Sequence, residues 1–290
     1  MPAGHDRRDR YSSTMFSVRH HRRVKTKQNN LGSGHVNYQA FVICMERATE
    51  RLAHARATLT QLPLPAEILP AIDGRAMPRE AIDAVYHRGL HRPSYPFELD
   101  AGNIGCFLSH RAAWQQIVER NLDAALVLED DADVDEAILR RAVEFSAAHC
   151  PPDAYLQFPV RPLPAGSENI IEGDGVRIVC PRVTPLRTSG QWVTRGAAEK
   201  LLDVTQFLDR PIDTTLQMRW VTGVCMLAIE PSGIADRTEA LGGSVIGAGK
   251  DRRLTVQKLM RQVNRVRYRW KVARLSTACH DMTIGQARAA

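Results

Sequence analysis

The run Ala124 to Leu128 is continuously apolar and ends in four carboxylates within five positions, Glu129, Asp130, Asp131 and Asp133. A short apolar run bounded by charge has the pattern of a strand covered on both faces, and such strands belong to sheets flanked by helices. In an open α/β sheet the ligand crevice lies beyond the carboxyl ends of the strands, which is where these acids fall. Carboxylates this close repel and raise one another's pKa unless a cation or ligand compensates them. Oxygen ligands that leave room for water and phosphate suit Mg2+ or Mn2+ better than zinc. An acidic, solvated turn after a strand is the inert alternative.

The rest of the chain alternates strand and helix patterns around that run. Tyr38 to Cys44 reads as a first strand, Glu46 to Leu62 as a helix stopped by Pro63 and Pro65, and Glu67 to Ile72 as a second strand leading into Asp73-Gly74-Arg75. A short helix is expected near Arg79 to Tyr86. Gly102 and Gly105 introduce a helix over Cys106 to Arg120, and another follows over Glu136 to His149. Strands are expected at Ala154 to Phe158, Val176 to Val179, Gly190 to Thr194 and Val224 to Ile229, with a helix from Ala197 to about Phe207 and a turn at Arg210 to Asp213. Strand, helix, strand at the start predicts an α/β fold with a mixed, mostly parallel sheet.

Charge divides the chain unevenly. The whole carries +7, but residues 1–37 hold a net +6 and residues 250–275 a net +9, which leaves the remainder at −8. An anionic partner is therefore addressed by the ends, and an acidic body argues against nucleic acid. Residues 1–37 are expected to be a disordered basic tail, 38–249 the sheet-bearing domain, and 250–290 a basic extension. In that extension Val256, Leu259, Val263, Val266 and Trp270 recur three and four apart, with Met260 beside them and Lys, Arg or Gln at most intervening positions. This is a basic amphipathic helix suited to an anionic membrane surface, packing onto the domain being the plainer reading. The six cysteines are widely spaced with no C-x-x-C pair, no apolar run has the length of a membrane span, and the basic start lacks the apolar core of a secretory signal. Those three features predict a cytoplasmic chain, and the basic helix predicts that it rests on the inner face of the plasma membrane.

Five short motifs go beyond a generic α/β pattern. They are Phe41-Val42-Ile43 followed by Arg47, Glu50 and Arg51; Ala71-Ile72-Asp73-Gly74-Arg75; Asn103-Ile104-Gly105-Cys106-Phe107-Leu108-Ser109-His110 with Trp114, leading to Glu129-Asp130-Asp131; Ser189-Gly190 with Trp192; and Arg210-Pro211-Ile212-Asp213. In this order they resemble glycosyltransferase family 25, the sugar transferases of lipopolysaccharide and lipooligosaccharide synthesis, over about residues 40–250. The chain departs from the family pattern at Cys44-Met45 and at Asn103.

The resemblance implies a GT-A-like fold and a metal-dependent, inverting transfer of a hexose, galactose first among them, from a UDP-sugar to a lipid-linked saccharide. A leaving diphosphate needs its charge met by a metal or by cationic groups. Asp131 is the first candidate metal ligand, with Glu129 or Asp133 completing the site. For donor binding the candidates are Arg47, Arg51, Asp73, Gly74, Arg75, Ser109 and Asp130, Ser109 having a helix cap as its plainer role. Inversion requires a base for the acceptor hydroxyl, for which Asp213 is the candidate, with His110 as a donor-binding or orienting group. Two other classes compete. Asp131-Ala132-Asp133-Val134 imitates the D-x-D-x-V of haloacid-dehalogenase-like phosphatases, and a catalytically degenerate membrane protein that binds a sugar nucleotide would keep the site without turnover.

Overall fold

A computed structural model describes residues 36–238 and 255–289, with side chains described from 258 onward in the second stretch. The expected disordered tail lies almost wholly outside the described residues. In chain order the elements are β1 (Tyr38–Cys44), α1 (Thr49–Leu59), β2 (Ala66–Pro70), a 3-10 turn (Gly74–Ala76), α2 (Arg79–Val85), α3 (Ala101–Glu119), β3 (Ala124–Glu129), β4 (Ala132–Val134), α4 (Glu136–His149), β5 (Ala154–Gln157), β6 (Glu168–Gly173), β7 (Val176–Cys180), β8 (Gly190–Thr194), α5 (Arg195–Val204), α6 (Ile212–Leu216), α7 (Arg219–Thr222), β9 (Cys225–Glu230), β10 (Ile234–Asp236), α8 (Thr255–Ala278) and α9 (His280–Ala289).

Eight strands form one mixed sheet in the order β2-β1-β3-β8-β5-β9-β7-β6, and β4 pairs with β10 in a separate antiparallel ribbon. The β1 pairings with β2 and β3 and the β5 pairing with β9 are parallel; those involving β8 or β7 are antiparallel. Six of the eight strands thus run one way and β8 and β7 the other, so the expected α/β, GT-A-like sheet is mixed and mostly parallel in strand direction.

Side-chain alternation builds two cores on the two faces of this sheet. Ala40, Val42, Leu126, Leu128, Leu156 and Trp192 turn to one face, covered by α1, α4 and α9 through Ala55, Leu139, Val143 and Ile284. Phe41, Ile43, Ala125, Val127, Tyr155 and Val193 turn to the other, covered by α3, α5 and α6 through Phe107, Trp114, Leu201 and Leu216. Each central strand is mostly apolar because both its faces are buried, the buried polar exceptions being Gln157 on β5 and Gln191 and Thr194 on β8. The contribution of α9 to the first core places the chain's last helix inside the domain, and all described residues fall within one compact unit.

Several elements differ from the sequence reading. α3 begins at Ala101, five residues before the expected start, because the Asp100 side chain accepts a hydrogen bond from the Asn103 backbone N–H at 2.8 Å and caps it there. Gly102 and Gly105 are therefore inside the helix. Gly105 is there because the chain after β2 crosses α3 at that point: a Cβ on Gly105 would stand 2.4 Å from the Ile72 carbonyl oxygen, and one on Gly74 would stand 1.8 Å from the Ala101 carbonyl oxygen. The β6–β7 hairpin was half missed. Its turn, Asp174-Gly175, has positive φ at both residues (54° and 73°), the backbone that an Asp-Gly pair favours in a two-residue hairpin. Asp213 lies in the first turn of α6 rather than in an open turn. The C-terminal extension holds two helices, not one, divided at Cys279.

Gly105→Ala is expected to destabilise the protein by about 1–3 kcal/mol, because backbone lies on the far side of the added methyl and cannot give way cheaply. Urea unfolding followed by circular dichroism measures this; an unchanged midpoint would mean that the two backbones do not touch.

Candidate active site

The tip of β3 sends its acids in opposite directions, and strand alternation is the cause. Ala125 and Val127 face the α3 side, Leu126 and Leu128 the α1 side. Glu129 continues the first series and Asp130 the second. Accordingly Glu129 meets His110 on α3 at 3.0 Å, while Asp130 meets Arg51 on α1 at 2.6 Å.

Glu129 is the end of a directional chain of hydrogen bonds. Trp114 Nε1, which can only donate, reaches Gln191 Oε1 at 3.4 Å and so fixes the orientation of that amide. Gln191 Nε2 then donates to His110 Nδ1 at 2.8 Å, which leaves the His110 proton on Nε2, facing Glu129. Thr188 Oγ1 donates to the same Glu129 oxygen at 2.5 Å. Burial acts to raise the Glu129 pKa, but the hydrogen bonds from His110 and Thr188 and the nearby Arg187 charge outweigh it and hold the carboxyl below its usual range. His110 lies well inside α3, not at the expected helix start, and serves to orient this carboxylate.

Asp131 is the least compensated of the four acids. Its Oδ2 accepts from Thr238 Oγ1 at 2.8 Å and lies 3.8 Å from Arg51 Nη1, whereas Oδ1 is buried with no hydrogen-bond partner. Burial, then the Glu129 charge, push its pKa up, and Asp130 adds to this against the pull of Thr238 and Arg51. Asp133 stands apart on β4, 46% exposed and 3.7 Å from Arg237.

Among the described residues, the His, Cys, Asp and Glu side chains whose ligand atoms come within 4.8 Å as a group of three are Cys106, His110 and Glu129. The expected cage of Glu129, Asp131 and Asp133 is not assembled as such a group, because alternation and the β4–β10 ribbon spread the three. The Cys106 set fits a metal poorly. Both His110 ring nitrogens are already engaged, and burial together with the Glu129 and Asp213 charges drives the Cys106 thiol far above the thiolate range. The unpartnered Asp131 oxygen, beside two further carboxylates, fits a hard divalent cation of the Mg2+ or Mn2+ type.

Asp213 joins these acids from the other half of the chain. Its carboxylate accepts from the Arg187 backbone N–H at 3.3 Å and from Thr214 Oγ1 at 3.0 Å. Burial raises its pKa, the hydrogen bonds partly offset this, and the Glu129 charge adds to the rise. The Tyr155 hydroxyl, buried without a partner, feels both Glu129 and Asp213. Arg210 of the same Arg-Pro-Ile-Asp segment is fully buried and clamps the loop: it donates to Asp209 at 2.6 and 2.9 Å, to Tyr268 at 2.9 Å and to the His91 carbonyl at 3.2 Å. Arg187 has φ of +80°, a left-handed backbone that costs a non-glycine residue about 1–2 kcal/mol, and it pairs with Asp236 through its guanidinium.

The remaining candidates form the wall beside β3. Arg47 donates to Asp73 at 2.8 Å and Arg51 holds Asp130, so two arginines expected at a diphosphate are each bonded to an acid expected at the donor. Asp73 also accepts from the Arg75 backbone N–H at 3.1 Å, and Gly74 is buried against α3. Ser109 lies in the middle of α3 and caps nothing; its hydroxyl donates to the Gly105 carbonyl and accepts from the Ile72 backbone N–H, pinning the loop that carries Asp73 to Arg75. The sequence reading missed Thr188, Gln191, Arg187, Tyr155, Cys106 and Thr238. Thr188 and Gln191 flank the Ser189-Gly190 and Trp192 motif and were within reach; Thr238 and Arg187 become visible only through tertiary contacts.

Residues 37–157 match the family model described as glycosyltransferase family 25 (LPS biosynthesis protein). Procollagen galactosyltransferase 1 of Danio rerio is 34% identical over 96 residues, 32% of this chain and 16% of the relative. Inactive glycosyltransferase 25 family member 3 of Mus musculus is 31% identical over 133 residues, 44% of this chain and 21% of the relative. The chain thus spans about a fifth or less of the length of these curated relatives. A solved glycosyltransferase involved in the glycosylation of the major capsid of PBCV-1 is 11% identical with a TM-score of 0.30, covering 63% of this chain and 66% of its own. Over residues 37–157, which carry β1 through β5 and the acidic tip of β3, the chain is similar to glycosyltransferase family 25.

Proposed function

We propose that the protein transfers a hexose, galactose first among the candidates, from a UDP-sugar to a saccharide acceptor, in lipopolysaccharide or another cell-surface glycan. The observation that carries this reading is the buried Asp131 oxygen without a partner at the tip of β3, with Glu129 beside it in sequence and its charge acting both on Asp131 and on Asp213 from α6. Asp213 serves as the base. A carboxylate whose pKa is raised toward the working pH takes a proton more effectively than an ordinary one. The acceptor hydroxyl oxygen bonds to the anomeric carbon, its proton passes to Asp213, and the bond from that carbon to the diphosphate breaks on the opposite face, which inverts the configuration. Asp131 would hold Mn2+ or Mg2+, with Glu129 and Asp133 contributing through water, and a bound ion supplies positive charge for the leaving diphosphate. His110, Gln191 and Trp114 keep Glu129 ionised and fixed. A lipid-linked saccharide is the acceptor class proposed. The phosphatase reading is weaker, since Asp133 is drawn into the β4–β10 ribbon toward Arg237.

The opposite shifts of Asp213 and Glu129 give opposite pH signatures. A raised folded pKa means that the folded state binds the proton more tightly; the Asp213 contribution is fully present below about pH 4 and is lost as pH rises through the raised pKa. A depressed folded pKa, as at Glu129, contributes stability above the ordinary carboxylate value that is lost as pH falls through the depressed one. Urea unfolding from about pH 2.5 to 8 should therefore show Asp213→Asn gaining on the parent as pH rises, and Glu129→Gln losing ground to the parent as pH rises to about 5. Parallel stability profiles for all three proteins would contradict both assignments.

For activity, Asp213→Asn is expected to lower kcat by roughly 10²- to 10⁴-fold while donor binding by calorimetry is retained. Asp131→Asn should abolish the dependence of donor binding on Mn2+. A chain that binds UDP-sugars without turning them over would be a degenerate binding protein, and one whose melting temperature no UDP-sugar shifts would not be a UDP-sugar transferase.

A further inference from the structure

α8 has two faces of different character. On the inner one Tyr268, Val272 and Ser276 are 7%, 2% and 0% exposed. The Tyr268 hydroxyl accepts from Arg210, its ring meets Tyr95 edge-on at 5.4 Å, and Arg261 and Arg265 lie over the Phe97 ring. This face needs no further partner. On the outer one Leu259, Val263, Val266 and Trp270 are 64%, 41%, 59% and 61% exposed, with Met260 at 55%. Their spacing of four, three and four residues sets them in one row, half a turn from Tyr268. Four large apolar side chains in a row facing water, with Met260 beside them, are a surface that a lone soluble domain does not need.

Charge identifies the occupant. Lys258, Arg267, Arg269, Lys271 and Arg274 are exposed on the same helix, and no acidic residue occurs from Thr255 to His280. A second copy of the helix would bring these cations against their own kind. Nucleic acid would meet the cations but leave the apolar row in water. An anionic lipid leaflet satisfies both, with phosphates meeting the basic flanks and acyl chains receiving the row, and an indole such as that of Trp270 suits the boundary between them. No helix among the described residues is long and apolar enough to cross a membrane, which leaves docking on the surface.

We propose that the outer face of α8 docks the protein onto anionic lipid, lying in the plane of the interface. The inner face then sets what is brought there. Tyr268 bonds Arg210, the clamp of the Arg-Pro-Ile-Asp segment, and both Tyr268 and Tyr95 feel the charge of Asp213. Docking therefore holds the Asp213 side of the domain close to the bilayer. That last consequence rests on the transfer reaction proposed above; lipid binding itself does not.

The test uses the full chain in co-sedimentation with phosphatidylcholine vesicles and with vesicles containing one-quarter phosphatidylglycerol. The parent should pellet with the anionic vesicles at least 10-fold more than with the neutral ones, lose binding as salt is raised, and show a blue shift of tryptophan emission. Val263→Ser with Trp270→Ser should remove most of the binding and the shift while leaving the melting temperature and soluble UDP-sugar binding unchanged. Lys271→Glu with Arg274→Glu should abolish the preference for anionic lipid. No binding to anionic vesicles, equal binding by the serine variant, or a dimer in solution that the serine variant dissolves would each overturn the proposal, whether or not the transferase reading stands.

Discussion

Compensation of the four carboxylates after β3 is the constraint on which the rest of the molecule depends. Three receive a dedicated partner: Glu129 has His110 and Thr188, Asp130 has Arg51, and Asp133 has Arg237. Asp131 shares Thr238 and the distant edge of Arg51, with one oxygen unsatisfied. Each partner must be carried to the strand tip by a different element, so α1, α3, the loop before β8 and the segment after β10 are all placed by the demands of four acids. Leaving a buried acid oxygen without a donor costs about 1–3 kcal/mol, so Asp131 is the member of the cluster that the fold holds at a loss.

Much of this was legible. Central strands covered on both faces are mostly apolar, so β1, β3, β5, β8 and β9 stood out from their composition, and α4 was bounded by the prolines that follow it. The separation of Glu129 from Asp130 also followed from the period of a strand, once the strand's last residue was known. What could not be read was the side pairing. β4 and β10 have three residues each and little apolar pattern, and they exist because they pair with each other across about a hundred residues. The early start of α3 was hidden for a related reason. Gly102 and Gly105 disfavour a helix locally, by about 1 kcal/mol each relative to alanine, and only the backbone crossing at Gly74 accounts for glycine at 105.

The same contrast holds at the site. The motifs contain the acids, and the structure adds which of their neighbours bond them. Arg47 and Arg51 were expected at a diphosphate, yet opposite charges in a partly desolvated wall pair within the protein. Ser109 and His110 look from the sequence like groups offered to a substrate; one pins a loop and the other aims a carboxylate. Their neighbours Thr188 and Gln191 do comparable work from beside and within the Ser189-Gly190 and Trp192 motif.

The position of β8 has a consequence for how such a domain is made. β3 and β5 both lie within residues 37–157, but they are not neighbours; β8, from residues 190–194, is hydrogen-bonded to each and joins the two halves of the sheet. The segment that resembles the family therefore supplies a three-stranded part-sheet, β2-β1-β3, and a lone strand, β5, whose facing edges are unpaired without β8. Because that closure links residues far apart in sequence, it is a slow step, and the exposed edges are a liability to aggregation for as long as it is pending. A fragment cut at the end of the recognisable segment would keep those edges permanently, and would lack Asp213 and Thr238 as well.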